Sequence, residues 1–258
     1  MIDYSRCFEQ APIFPETASM DKGLIQKNFG SGGRPDEPTT WSRRTVNHTW
    51  GPGAVVETTQ CVIEFGIPKN ITAPVLFYYK LTNFYQNHRR YAKSFSIDQL
   101  SGLALSADSI DSGDCQPLTT GMDNGVKKPY YPCGLAANSQ FNDTFESPIQ
   151  LDPQFAAPGE LNRTYVMQDN SGISWASDRA LYGKTKYKWD EVLVPPNWVK
   201  RFPNNYSDEY NPGLPENEPF QVWMRLAGLP TFSKLAMRND NVDMAAGTYT
   251  ININHSML

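Results

Sequence analysis

The sequence predicts a mainly β domain of the α+β kind, with an antiparallel β-sandwich-like core, short helices and long loops. Three observations carry that expectation. Runs of alternating apolar and polar residues stand in the first third of the chain and again at its end. Twenty prolines and 18 glycines divide the rest into long connections. Helical spacing of apolar residues occurs only in short stretches.

Residues 1–53 are rich in Pro, Gly and Ser and read as an irregular arm, tied on by Cys7 and mobile in its glycine run, 30–35. A β-rich core is expected over 54–254, so that 1–258 forms one domain. Cys61, Ile63, Phe65 and Ile67 alternate with Val62 and Glu64, which predicts a strand. A second strand follows in Val75, Phe77, Tyr79 and Leu81, and the short Pro68–Thr72 turn makes the two antiparallel neighbours. A helix is expected over 88–101, ended by Gly102, and a loop over 105–135. Tyr165 and Met167 suggest another strand. Phe220, Trp223, Met224 and Ala227 predict a short helix from Glu218 to Gly228. The last strand carries Tyr249, Ile251 and Ile253 on one face and Thr248, Thr250 and Asn252 on the other.

Composition excludes several classes. Aromatics make 12% of the 258 residues and net charge is only -4, which is not the balance of a disordered chain. A sequence pI near 5.4 argues against nucleic-acid binding, which favours a basic face. The longest apolar run, Ala73 to Tyr79, is far short of the roughly 20 residues that span a bilayer. Asp3, Arg6, Glu9 and Glu16 interrupt any signal-peptide-like stretch.

Cys7, Cys61, Cys115 and Cys133 contain no C-x-x-C pair. Three pairings are open from sequence. The sequential one is favoured because the 115–133 segment is short and turn-rich, and it would fasten the arm to the strand holding Cys61. Acceptor sequons occur at Asn47, Asn70, Asn142, Asn162, Asn205 and Asn254, where chance from 19 Asn gives about two to three. Six sequons with paired cysteines point to a lumenal or extracellular segment. The absence of a targeting stretch is then expected to mean that residues 1–258 are an ectodomain whose anchors or signal lie outside them.

Evidence for catalysis is thin. His48 and His255 are the middle residues of sequons, and His88 sits among Asn87, Arg89 and Arg90, where a structural hydrogen bond is the better expectation. Gly172-Ile173-Ser174-Trp175-Ala176 lacks the final glycine of a nucleophile elbow. Asp108, Asp111 and Asp114 have the wrong spacing for a calcium loop and read as a solvated loop. No metal or cofactor is expected.

The run from Leu81 to Tyr91 is the most distinctive. It can be read as a strand-to-helix corner, with Asn83 and Asn87 serving backbone groups and Arg89 and Arg90 solvated. It can also be read as a polar, aromatic-rich contact patch. Here the chain resembles the accessory β-subunits of type-IV P-type ATPases, the phospholipid flippases, also called the cell-division-control-fifty or ligand-effect-modulator family. The resemblance rests on Phe77-Tyr78-Tyr79-Lys80-Leu81 with Asn83 to Tyr91, on Pro132-Cys133-Gly134-Leu135-Ala136-Ala137-Asn138-Ser139, and on Phe141-Asn142-Asp143-Thr144. Pro195-Pro196-Asn197-Trp198, Trp223-Met224-Arg225 and Leu229-Pro230-Thr231-Phe232 follow in family order. The arm between Cys7 and Cys61 and the Lys188–Glu191 segment look like the fungal branch.

The resemblance implies a two-span membrane protein of the secretory pathway (endoplasmic reticulum, Golgi, endosome or plasma membrane), whose ectodomain is this segment. It implies two disulfides, a glycan at Asn142, and no catalysis. It also implies a heterodimer in which the subunit binds the ATPase α-subunit, supports its exit from the endoplasmic reticulum and assists phospholipid translocation. Asn83, Tyr85, Asn87, Arg89, Arg90 and Trp198 are the candidate contacts. The Asn252–Leu258 tail departs from the family by lacking an aromatic-proline segment. The rival readings are a glycoprotein binding module with no transporter partner, and a secreted hydrolase using Ser174.

Overall fold

The computed structural model describes residues 1–30, 32–33, 37–49, 54–151 and 162–255. The strands, in chain order, are β1 (Ala18–Ser19), β2 (Thr40–Thr49), β3 (Val55–Ile67), β4 (Val75–Leu81), β5 (Thr120–Asp123) and β6 (Val126–Pro129). They continue with β7 (Thr144–Phe145), β8 (Ile149–Leu151), β9 (Asn162–Thr164), β10 (Phe232–Asn239) and β11 (Gly247–His255). The helices are short: α1 (Cys7–Gln10), α2 (Arg89–Lys93), α3 (Ile97–Leu100), α4 (Ala107–Asp111), α5 (Leu135–Asn138), α6 (Ala176–Arg179) and α7 (Glu218–Met224).

The largest sheet runs β1-β2-β3-β11-β8-β9, with β7 also paired to β11, and its pairings are antiparallel. β3 lies at its centre, in register with β2 from Thr40↔Glu64 to Thr49↔Val55 and with β11 from Gly247↔Ile67 to His255↔Thr59. The alternation in β3 and β11 sends Cys61, Ile63, Ile67, Tyr249, Ile251 and Ile253 to one buried face. β4 and β10 form a second, two-stranded layer over that face, adding Val75 and Met237 to the same core. The mainly β, sandwich-like expectation is what the fold shows.

A second core, richer in rings, lies beyond the end of β4. Tyr131, Trp198, Phe202, Tyr206, Phe220 and Trp223 are all buried there, gathered by short helices and loops rather than by a sheet. Their rings meet edge to face, as for Trp198 and Phe220 at 5.7 Å and Phe202 and Tyr206 at 4.8 Å. Each indole N–H and the Tyr206 hydroxyl finds a carbonyl: Trp223 Nε1 donates to Ala136 O at 2.7 Å, Trp198 Nε1 to Ala137 O at 3.1 Å, and Tyr206 Oη to Tyr131 O at 2.7 Å. Buried polar groups are thereby satisfied, without which such a core would be costly.

Disulfides join Cys7 to Cys61 and Cys115 to Cys133. The first ties α1 onto the central strand. The second closes an 18-residue segment that also carries the β5–β6 hairpin. Gly134 follows it with φ at +96°, and a Cβ there would lie 2.1 Å from the Ser94 carbonyl oxygen, so this position admits only glycine.

Several sequence expectations need correction. The arm is not irregular throughout, because β2 occupies Thr40–Thr49. Its polar composition (Arg43, Arg44, Asn47, His48) hid it: part of β2 is covered by the arm itself, through Arg43 N–H to Pro12 O and Phe14 N–H to Arg43 O, both 2.8 Å. Of the glycine run 30–35, residues 31, 34 and 35 lie outside the described residues, while Gly30, Gly32 and Gly33 all take positive φ. β3 and β4 are not neighbours. Both edges of β3 are taken by β2 and β11, and the connection is held elsewhere, where Ile71 exchanges backbone bonds with Met244. β4 therefore pairs with β10.

The helix expected over 88–101 is two, α2 and α3. Buried Ser94 interrupts it, its hydroxyl bonding to Gln116 O at 2.8 Å and accepting from Leu135 N–H at 2.8 Å. The expected loop 105–135 contains α4, β5 and β6, and Asp108 and Asp111 lie on α4, where both pair with Lys127. The strand sought at Tyr165 and Met167 ends just before them, as β9; the two residues bond instead to Pro148 and Ser147.

Two consequences are measurable. Opening the second disulfide with Cys115→Ser should cost about 3 kcal/mol through the entropy of its 18-residue loop, seen as a lower denaturation midpoint. An unchanged midpoint would show that the hairpin holds the segment alone.

Burial pushes the Tyr131 and Tyr249 hydroxyls up to about 12, and Tyr206 well above its ordinary value. Unfolded tyrosine ionises near about 10, so the folded state keeps protons the unfolded state gives up. That stabilisation is complete below about pH 10 and is lost as pH rises through about 12. Rapid pH-jump unfolding should accelerate across that window together with tyrosinate absorbance; ionisation without unfolding would contradict it.

Candidate partner-binding surface

The run after β4 is built by alternation. Phe84 and Gln86 point inward, while Asn83, Tyr85 and Asn87 stay exposed. Asn83 makes the turn at φ +58°, a conformation that Asn tolerates better than most residues. Phe84 then enters the aromatic core edge-on, 5.3 Å from Trp223 and 5.9 Å from Tyr91. Its amide donates to Pro230 O at 3.1 Å, which brings the 226–231 connection alongside.

Gln86 is fully buried and joins two segments. Its Oε1 accepts from Ala227 N–H at 2.8 Å, and its Nε2 approaches Trp223 O at 3.5 Å. A neutral amide can serve a donor and an acceptor at once, which neither a carboxylate nor an ammonium can. From the far side, buried Lys234 donates to Val222 O at 3.1 Å, Trp223 O at 3.3 Å and Arg225 O, capping the C-terminal end of α7. Burial, and then the neighbouring Arg225 charge, bring the Lys234 ammonium down to about 8.

On this frame stands a surface of mixed character. Tyr85 is 56% exposed and Leu229 68%, an aromatic and an aliphatic side chain offered to solvent. Arg89 and Arg90 open α2, whose first turn has no acidic residue. Among the described residues neither guanidinium forms an ion pair. Further along, Arg225 lies 3.7 Å over the ring of exposed Trp175 and pairs with Asp178 at 2.9 Å.

Five of the six expected contacts, Asn83, Tyr85, Asn87, Arg89 and Arg90, therefore come together on one exposed corner. Trp198 does not. It is 5% exposed, packed against Phe202 and Phe220, and is corrected to a core residue. Sequence reading passed over Leu229 and Lys234, since an apolar loop residue and a lysine in a strand ordinarily mean nothing special.

The sequons divide as well. Asn47, Asn70 and Asn162 are exposed, and Asn142 is half-buried. Asn205 is half-buried, its Nδ2 reaching Val192 O at 3.4 Å. Asn254 is 3% exposed, donating to Thr144 Oγ1 at 3.1 Å and accepting from Gln60 Nε2 at 2.7 Å. With no outward amide it cannot carry a glycan in this fold, and that expectation is corrected.

Ser174 is also buried. Its amide N–H binds Glu218 Oε2 at 2.8 Å, and the Glu218 carboxylate faces Arg179 at 3.5 Å, an arrangement that joins the loop to α7. Among the described residues no group of His, Cys, Asp or Glu is arranged to hold a metal ion.

The described residues thus form a disulfide-tied double core with one exposed aromatic and cationic corner. Comparison with known proteins makes this specific. The sequence profile of the LEM3 (ligand-effect modulator 3) family / CDC50 family matches residues 1–257, and the chain belongs to that family. It is 37% identical over 254 residues to the phospholipid-transporting ATPase accessory subunit CDC50 of Chaetomium thermophilum, covering 98% of this chain and 61% of the relative. It is 42% identical over 193 residues to the accessory subunit CRF1 of Saccharomyces cerevisiae, covering 75% and 46%. Against cell cycle control protein 50A of Bos taurus it is 37% identical over 208 residues, covering 76% and 54%. The chain thus spans about half to three-fifths of the length of these relatives.

The corner's stability and its surface are separable. Gln86→Leu should lower stability by about 1–3 kcal/mol, by stranding the Ala227 N–H. Tyr85→Ala should leave the midpoint within about 0.5 kcal/mol of the parent. Equal midpoints for both variants would show that Gln86 does not hold the corner.

Proposed function

We propose that this chain is the extracytosolic domain of a membrane-anchored, non-catalytic accessory subunit that binds a phospholipid-transporting P-type ATPase. Family membership supports the role, and the names of the relatives at 37% and 42% identity supply the kind of partner. No helix among the described residues is long and apolar enough to cross a membrane, so anchoring falls to segments outside this stretch.

The observation that carries the reading is the exposed corner at Asn83, Tyr85, Asn87, Arg89 and Arg90. Phe84 and Gln86 fix it from below, so little conformational entropy is lost when a partner docks. Tyrosine and arginine are the residues that most often dominate protein interfaces. The two unpaired cations fit an acidic loop of the ATPase. By binding one arrangement of those loops better than another, the subunit shifts the transporter's population towards it, and the ATPase supplies hydrolysis and lipid selection. The same contact supports export of the α-subunit from the endoplasmic reticulum, with the exposed sequons Asn47, Asn70 and Asn162, and Asn142, carrying glycans on the lumenal side.

The test is a double charge reversal, Arg89→Glu with Arg90→Glu, in the full-length protein. Co-purification of the P-type ATPase should fall by about tenfold or more, as loss of 1.4 kcal/mol or more of binding requires. Both disulfides should still form and the subunit should still accumulate. Undiminished co-purification would remove this corner from the interface, and absence of any ATPase with the parent protein would favour a binding module without a transporter.

A further inference from the structure

We propose that the space between the two sheets is a binding site for a single long hydrocarbon chain of an amphiphile. A cavity of about 900 Å³ lies between the inner face of β3 and β11 on one side and β4 with the N-terminal arm on the other. Phe65, Phe77 and Phe145 line it from three strands, and Phe8 and Phe29 from the arm. The cavity is partly open to solvent, with exposed Met1, Leu76 and Tyr78 among its lining residues. A space of this size lies within the range of ligand pockets, and water inside it would meet apolar walls offering few hydrogen bonds.

Its apolar lining and the usual spacing of packed sheets select the class of occupant. Packed sheets stand about 10 Å apart, and a helix with its side chains needs that whole width or more. A peptide strand would find main-chain partners only along the edge of β4 that β10 leaves free, while the opposite wall offers side chains. An unbranched hydrocarbon chain is about 4 Å thick, asks for no hydrogen bonds, and gains dispersion contact along its length.

A hydrogen-bonded polar cluster lies among the lining residues. The Tyr4 hydroxyl donates to Asp143 Oδ2 at 3.0 Å, and His255 Nδ1 lies 3.0 Å from Asp143 Oδ1. The His255 ring is stacked on Phe8 at 3.9 Å, which joins this cluster to the apolar wall. The lining reaches Thr82 but includes none of Asn83, Tyr85, Asn87, Arg89 and Arg90, and the proposal does not rest on the partner assigned to that corner.

The experiment uses the full-length protein in its own membranes and two photoactivatable probes. One is free palmitate carrying a mid-chain diazirine, and the other is phosphatidylcholine carrying the same acyl chain. Label is mapped by peptide after irradiation. Competable label on peptides from 63–81 and 249–255 is expected, and the productive probe tells whether the chain comes from a free acid or a phospholipid.

Ile2→Trp and Ile71→Trp, both half-buried positions lining the cavity, should each reduce that label by about tenfold, equivalent to 1.4 kcal/mol of binding. Disulfide formation and ATPase co-purification should be retained in both. Absence of competable label on those peptides with either probe, or label unchanged in both variants, overturns the proposal.

Discussion

The architecture follows from the double pairing of β3. Its thirteen residues hydrogen-bond to β2 along one edge and β11 along the other, and Cys61 in its middle receives the arm through Cys7. With no free edge to offer, β3 forces the next apolar strand away. β4 therefore crosses to a second layer, pairs with β10, and closes the first core from above. Everything beyond β4, including the aromatic core and the exposed corner, hangs from that displacement.

The two cores solve different problems. The first is a conventional sheet interior of Ile, Val, Met and Tyr, aligned by strand register. The second has no sheet to organise it. It relies on rings meeting at an angle and on buried groups that each satisfy a backbone partner: Gln86, Lys234, Ser94 and three aromatic N–H or O–H groups. Such a core is specific because these groups each have a partner to lose, although the buried Gln221 Oε1 and Asn205 Oδ1 have none among the described residues. Those partners fix the short loops that carry the exposed corner.

Much of this was legible in the sequence, for physical reasons that differ by segment. β3, β4, β11 and α7 announce themselves because their apolar residues recur at strand or helical period. β2 does not, since arm and solvent cover residues that a pattern reader takes for loop. The β4–β10 partnership was illegible because register is decided by which edges remain free, a property of the whole sheet. At the corner, the motif Asn83–Arg90 was visible, but the roles of its members became clear only when Phe84 and Gln86 turned inward. Trp198 misled because an aromatic in a distinctive motif suits a core as well as an interface. Asn254 satisfied the sequon rule while its amide was already committed to Thr144 and Gln60.

The central claim is that a partner rests on the corner at Tyr85. A photo-cross-linking amino acid placed at Tyr85 in the full-length protein, irradiated in native membranes, tests it most directly. Met122, 67% exposed on the β5–β6 hairpin, provides the comparison position. An adduct with a large P-type ATPase is expected from position 85 and none from 122. The reverse pattern, or adducts from 85 only with proteins other than a P-type ATPase, would contradict it.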